Sequence, residues 1–286
     1  MKLVNHKHLD EVQGNFMLAY AMAGGHKTCT IIQTAQDPLI LLTAEGRKIK
    51  TSIVAINRPD LQMKVGVYEG FDDLMDTIYT PARFEGAKTV FLDSITHLMM
   101  IHLSQEILSE NWASKSDADK AEIEKQLTMQ VKLSEESYGT LAQQMNRLMR
   151  GLQGLTMAGY DVVCSARLSD RPKWNRALSA APALMGKEFS KSMDGFFDMI
   201  GYIEPWEPPE GKNPPKYYTP DEIKVMSDDE KNKLLADTWK YYAPLISFNP
   251  NEEYLAKWTG VMPPKGIVRR KFHVKKVFQE ANGVFV

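Results

Sequence analysis

F-M-L-A-Y-A-M-A-G-G-H-K-T-C-T-I-I-Q-T, Phe16 to Thr34, joins an apolar run of strand length to a small-residue turn and a helix-like segment. The strand runs from Phe16 to Met22, the turn holds Ala23, Gly24 and Gly25, and the helix places apolar residues at Ile31, Ile32 and Ala35. Strand, glycine turn and helix in that order suit an anion: successive backbone N–H groups and the helix N-terminus point at phosphate oxygens. Lys27 then reaches the outer phosphates and Thr28 holds magnesium, so Ala23, Gly24, Gly25, His26, Lys27, Thr28 and Cys29 are the candidate nucleotide-binding residues. Against the pattern G-x-x-x-x-G-K-[ST], Ala21 stands at the first glycine and His26 at the second. A Cβ at the second place narrows the room for phosphate and calls for a left-handed backbone, which histidine enters more often than most residues. On these residues alone a Gly-Gly turn carrying a solvated lysine is the competing interpretation.

Downstream, apolar runs alternate with helix-like segments. Leu39 to Thr43 reads as a strand buried on both faces. It ends in Ala44-Glu45-Gly46. A carboxylate at the carboxyl end of a strand beside a phosphate loop lies where open α/β sheets bind ligands, and there Glu45 can orient or deprotonate water. Without the neighbouring motif, Glu45 is a solvated loop residue. Met63 to Tyr68 reads as a strand and Asp72 to Tyr79 as a helix with acidic residues in its first turn. T-V-F-L-D-S, Thr89 to Ser94, is a hydrophobic strand ending in Asp93, the second candidate magnesium ligand.

The segment from about His97 to Glu136 reads as helical and polar, with Ser116 and Asp119 at a capped start. His97 and His102 are five apart and read as structural. A helix from Tyr138 to Ala158 carries Leu141, Met145, Leu148, Met149, Leu152 and Leu155 along one side for core packing. Gly159 ends it, and Tyr160 to Ser165 is a further strand. A-R-L-S-D-R-P-K-W-N-R follows, in which Arg167, Arg171, Lys173 and Arg176 surround Trp174. Cations that track phosphates around a ring that stacks on any base suit a single strand, and an ordinary basic loop is the alternative. Phe196 to Glu204 reads as a strand, the proline-rich run after it excludes central sheet, and Thr219 and Ser227 each open a helix with a capping box. Leu245 to Phe248 returns to strand, and Arg269, Arg270, Lys271, Lys275 and Lys276 form a basic end.

Composition narrows the class. With 286 residues and 43% hydrophobic content the chain can bury a sizeable core. A net charge of -1 excludes a generally basic protein, so any nucleic-acid contact is local. Two cysteines in core segments, at no metal-ligand spacing, imply buried reduced thiols and a cytosolic compartment. Nothing near the N-terminus resembles a signal peptide, and no apolar run is long enough to span a bilayer.

Taken in order, these motifs resemble the RecA-like ATPase core, and more closely the small phage-encoded RecA-like proteins linked to single-strand annealing and recombination. L-L-T-A-E-G is similar to the strand whose glutamate activates water, and T-V-F-L-D-S to the magnesium-binding strand. P-A-L-M-G-K, Pro182 to Lys187, and W-T-G-V-M-P-P, Trp258 to Pro264, are similar to later stretches of the phage group, the second to its R-T-G-x-x-P-P pattern. Trp258 stands where an arginine is usual, and Arg167 where a polar sensor residue often occurs. The resemblance implies an α/β fold with a mainly parallel sheet, helices on both faces and one domain over 1–286, with insertions at about 104–137 and 205–240. It implies ATP and Mg2+ as cofactors, with Glu45, Lys27 and Arg167 as catalytic candidates and Thr28 and Asp93 on the metal. Single-stranded DNA would lie against Arg171, Lys173, Trp174, Arg176 and Lys187. A homo-oligomeric ring or filament in the host cytoplasm is implied, with a trans-acting cation drawn from Arg269, Arg270, Lys275 or Lys276 and a single-strand-binding or other replication protein as a further partner. A hydrolysis-defective scaffold is the main alternative, and a helicase or DNA-packaging motor a third.

Overall fold

The computed structural model describes residues 13–44, 61–107, 116, 135–170, 178–204, 210–213, 216, 218–249, 253–262 and 270–284. Its strands are β1 (Phe16–Ala21), β2 (Leu39–Thr43), β3 (Met63–Val67), β4 (Thr89–Asp93), β5 (Asp161–Asp170), β6 (Ala180–Pro182), β7 (Met199–Ile203), β8 (Leu245–Ser247), β9 (Lys257–Trp258) and β10 (Arg270–Lys271). The helices are α1 (Lys27–Thr34), α2 (Phe71–Ile78), α3 (Ile95–His97), α4 (Glu135–Met157), α5 (Lys187–Ser192), α6 (Pro220–Lys224), α7 (Asp228–Tyr242) and α8 (Val274–Ala281).

Continuous apolar strands demand cover on both faces, and the sheet supplies it. Every residue of β1 and of β2 is buried. The strands lie in the order β10-β8-β7-β1-β5-β4-β2-β3, and those from β7 to β3 are mutually parallel. Parallel neighbours need crossovers, which carry helices onto the faces. On one face Ile31 and Ile32 of α1 and Val274, Val277 and Phe278 of α8 pack against Met17, Ala19, Leu41 and Phe91. On the other, Leu141, Met145, Leu148 and Leu152 of α4 join Phe71 and Leu74 of α2 over Phe16, Leu18, Leu92 and Val162. Each fully buried Val, Leu, Ile, Met or Phe side chain contributes about 1.5–3 kcal/mol of transfer free energy. The expected methionine and leucine stripe of α4 is core at every position. Gly159, at φ 93, closes that helix in the left-handed region, with Tyr160 N donating to Leu155 O at 3.1 Å.

Three differences from the sequence reading have physical causes. β5 continues past Ser165 to Asp170, because Leu168, Ser169 and Asp170 pair antiparallel with Pro182, Ala181 and Ala180. That partner lies beyond any local pattern. β7 starts at Met199 rather than Phe196, since Met193–Gly195 forms a 3₁₀ turn and the Asp198 carboxylate accepts from the N–H of Phe16. Finally, α3 runs into a π-helical turn at Leu98–Leu103, whose wider turn brings residues five apart together, so the His97 and His102 rings lie 5.6 Å from each other.

Residues 205–242 include α6 and α7, opened as expected by capping boxes. Thr219 and Glu222 exchange hydrogen bonds, and so do Ser227 and Glu230. Most of the insertion at 104–137, including Asp119, lies outside the described residues.

Candidate nucleotide site

The order β1, β5, β4 places the carboxyl ends of three strands side by side, with Ala21 opposite Arg167 and Leu92 opposite Cys164. Ligands of open α/β sheets bind at such an edge. β1 delivers the chain to a turn at Met22 that ends in α1. Gly24 takes φ 79, and a Cβ on Gly25 would meet Ala21 Cβ at 2.9 Å and Met22 O at 3.2 Å. Gly25 N donates to that same Met22 O at 3.2 Å, which tightens the turn. Ala23 and Gly24 are exposed at its tip.

His26 adopts φ 52 and ψ 16, the single positive φ among the described non-glycine residues. The backbone expected of a glycine at this place is therefore present, with an imidazole on it. Burial pulls the His26 pKa below its ordinary value, which favours the neutral ring. The first turn of α1 carries no side-chain cap and no acidic residue, and its positive end faces the turn. Lys27 Nζ donates back to Met22 O at 3.5 Å, folded over the turn. Cys29 is half-buried in the same helical turn.

Asp93 closes the site from the other side. Thr28 Oγ1 donates to Asp93 Oδ2 at 2.8 Å, and Ser165 Oγ donates to Asp93 Oδ1. A threonine hydroxyl and a carboxylate are hard oxygen donors, the chemistry magnesium selects, so Thr28 and Asp93 would hold that ion beside a bound nucleotide. No group of three or more His, Cys, Asp or Glu suited to a metal occurs among the described residues. The Gly25 cradle, the helix end and this oxygen pair fit a nucleotide with magnesium.

The remaining candidates divide. Thr43 pairs with Asp93 in register, so the chain leaves β2 beside the carboxylate, and Glu45 itself lies outside the described residues. The backbone of Arg167 is anchored: its N–H donates to Thr96 Oγ1 at 3.0 Å, its carbonyl accepts from Ala183 N at 2.7 Å, and its side chain is exposed. Arg171, Lys173, Trp174 and Arg176 lie outside the described residues. Lys187 is exposed at the start of α5 in a cleft of ≈ 920 Å3 that Glu135, Asp170 and Glu188 also line. Among the described residues lining this cleft, carboxylates outnumber this lysine. Trp258 packs its ring 5.4 Å from Phe248, and its Nε1 donates to Val261 O. Arg270 is in an ion pair with Glu280, each 18% exposed, and Lys275 and Lys276 are exposed on α8.

Ser165 and Thr96 went unrecognised in the sequence. Ser165 is the polar end of an apolar run, and its meaning appears only once β5 lies between β1 and β4. Thr96 Oγ1, which also donates to Ala183 O at 2.8 Å, ties the chain after Asp93 to the β5–β6 pair.

These features define an α/β P-loop ATPase fold with its loop, helix end and acidic strand assembled in one place. The chain belongs to the AAA domain family, whose model matches residues 13–257. A search among curated proteins finds no match in sequence. Among solved structures the chain is similar to a DnaB-like replicative helicase described with its interactions with primase, at 11% identity and a TM-score of 0.41, over 87% of this chain and 54% of that one. It is also similar to a solved ATPase domain, at 11% identity and a TM-score of 0.43, over 92% of this chain and 83% of that one. The chain thus spans about half the length of the first. No described helix is long and apolar enough to cross a membrane.

Proposed function

We propose that this chain is an ATPase of one domain over 1–286, which binds ATP with magnesium and couples nucleotide state to single-stranded DNA. The observation that carries the reading is the 2.8 Å contact of Thr28 Oγ1 with Asp93 Oδ2, since it joins the two halves of a metal–nucleotide site across 65 residues. In this account Ala23 to Cys29 cradle the phosphates, Lys27 neutralises the outer ones, and Thr28 and Asp93 hold magnesium. Bound magnesium would neutralise charge on the phosphates. Ser165 orients the Asp93 carboxylate. Glu45 positions the attacking water. Phosphoryl transfer needs little covalent help, so positioning and charge supply most of the catalysis.

DNA engages the segment from Arg167 to Lys191, with Arg171, Lys173, Trp174 and Arg176 among the contacts. Lys187 joins them as the contact at the start of α5. A homo-oligomer, ring or filament, places Arg269, Lys275 or Lys276 of a neighbour near the nucleotide. Arg270 is the weaker trans candidate because Glu280 already holds it. Recombination or annealing of the phage type, with a single-strand-binding or replication protein alongside, is the process this reading favours. A helicase or packaging motor shares every site residue and differs in coupling ATP to translocation.

Phosphate release with and without oligothymidylate tests the reading. DNA-stimulated release that vanishes in Lys27→Ala supports it. Release that persists in that variant contradicts it.

A second reading rests on His26, whose side chain stands on the left-handed backbone that glycine ordinarily supplies. A scaffold that binds ATP without hydrolysing it would show nucleotide affinity and no release.

A further inference from the structure

The insertion between β7 and β8 repeats a short sequence: Lys216-Tyr217-Tyr218-Thr219-Pro220 and Lys240-Tyr241-Tyr242-Ala243-Pro244. The first copy precedes α6 and the second ends α7. Lys216 and Tyr218 of one and Tyr241 of the other line a single cleft of ≈ 520 Å3, together with Lys212 and Lys233. Lys216 Nζ sits 4.8 Å from the centroid of the Tyr218 ring, a cation over an aromatic face. Lys212, Lys216 and Lys233 are all exposed.

Opposing charge is present and partly committed. Glu230 and Asp237 line the same cleft. Glu230 Oε2 accepts from both the N–H and the hydroxyl of Ser227 at 2.8 Å, which binds it to the start of α7. Asp221 and Asp228 pair with Lys224 and Lys231, outside the cleft lining. Among the described residues none forms an ion pair with Lys212, Lys216 or Lys233, and the charge of Lys216 is felt at a distance by the exposed Glu222 carboxylate.

Three lysines around two tyrosines match a ligand that alternates anionic groups with flat rings, because cations follow the phosphates while a ring stacks on a base. We propose that this cleft is a second nucleic-acid contact that holds a single strand, with phosphates on Lys212, Lys216 and Lys233 and a base against Tyr218 or Tyr241. An acidic peptide would satisfy the lysines and leave the two tyrosines without a role. The contact shares no residue with the nucleotide loop or with the segment from Arg167 to Lys191, so it stands or falls independently of the function proposed above.

The test uses the full chain and a fluorescein-labelled oligothymidylate, with polarisation read across a salt series. Lys212→Gln combined with Lys216→Gln and Lys233→Gln should weaken binding about tenfold and lower the salt slope by about 2. Tyr218→Ala should weaken binding several-fold and Tyr218→Phe should restore it, which a purely electrostatic contact would not do. A strand carrying 5-iododeoxyuridine should crosslink under ultraviolet light to Tyr218 or Tyr241. Far-ultraviolet circular dichroism of each variant confirms folding. Absence of strand binding, an unchanged salt slope in the triple variant, crosslinks confined to Trp174, or displacement of the strand by oligoglutamate but not by unlabelled oligothymidylate would each overturn the proposal. Displacement by thymidine monophosphate at equal phosphate concentration would overturn it in favour of a mononucleotide pocket.

Discussion

Thr28 Oγ1 lies 2.8 Å from Asp93 Oδ2, so the first turn of α1 and the end of β4 share one hydrogen bond at the sheet's carboxyl edge. Ser165 occupies the other carboxylate oxygen, which fixes the plane of Asp93 from the strand between. Replacing Asp93 by Asn keeps the shape and removes the charge. Asp93→Asn should leave the fold intact and abolish the magnesium dependence of nucleotide affinity, as measured by titration with and without chelator. Equal magnesium dependence in the variant would remove Asp93 from the metal site.

Ser165→Ala leaves one oxygen of the half-buried Asp93 carboxylate without its donor. The expected cost is about 1–3 kcal/mol in urea unfolding. If Ser165 orients Asp93, the variant also needs more magnesium to reach half-maximal nucleotide binding. A loss of stability with no change in magnesium requirement would limit Ser165 to a structural part.

His26 holds a left-handed backbone that costs a non-glycine residue about 1–2 kcal/mol. His26→Gly should therefore raise the thermal midpoint, less whatever the unfolded glycine gains in entropy. Its effect on phosphate release separates two accounts. A large gain means the imidazole obstructs the loop, and a loss means that it takes part.

His273 caps α8 by accepting from Lys276 N at 3.4 Å. Burial, followed by the charge of Lys276, pulls its pKa down to about 4 from an ordinary value of 6.5. Between those values the unfolded chain binds a proton that the fold excludes, so stability present above pH 6.5 is lost as pH falls toward about 4. His273→Asn keeps a cap and removes the titration. Urea midpoints at pH 7 and pH 5 should differ less in the variant than in the parent, and parallel shifts would contradict the assignment.

Arg270 and Glu280 form an ion pair between β10 and α8. Arg270→Ala strands a largely buried carboxylate and should cost about 2 kcal/mol in stability. Phosphate release per folded molecule should stay unchanged, since Arg270 serves its own chain. A selective loss of release at full stability would restore Arg270 as the trans-acting cation.

The central strands were legible because burial on both faces writes an unbroken apolar run, as in Leu39 to Thr43, and the loop because Gly24, Gly25, Lys27 and Thr28 punctuate one. Asp93 was legible from its place at the end of such a run. Pairing across distance was not. That β5 extends to Asp170 depends on β6, and Ser165 meets Asp93 only because β5 lies between β1 and β4. The π turn hid as well: a spacing of five separates His97 from His102 on an α-helix and joins them here. Fixed spacing rules fail where the helical period changes.

Equilibrium binding of a fluorescent ATP analogue with magnesium, with and without single-stranded DNA, in the parent and in Lys27→Ala, tests the nucleotide site most directly. The account predicts binding in the parent that DNA tightens by the same factor by which nucleotide tightens DNA, and none in the variant. Equal affinity in parent and variant would contradict it.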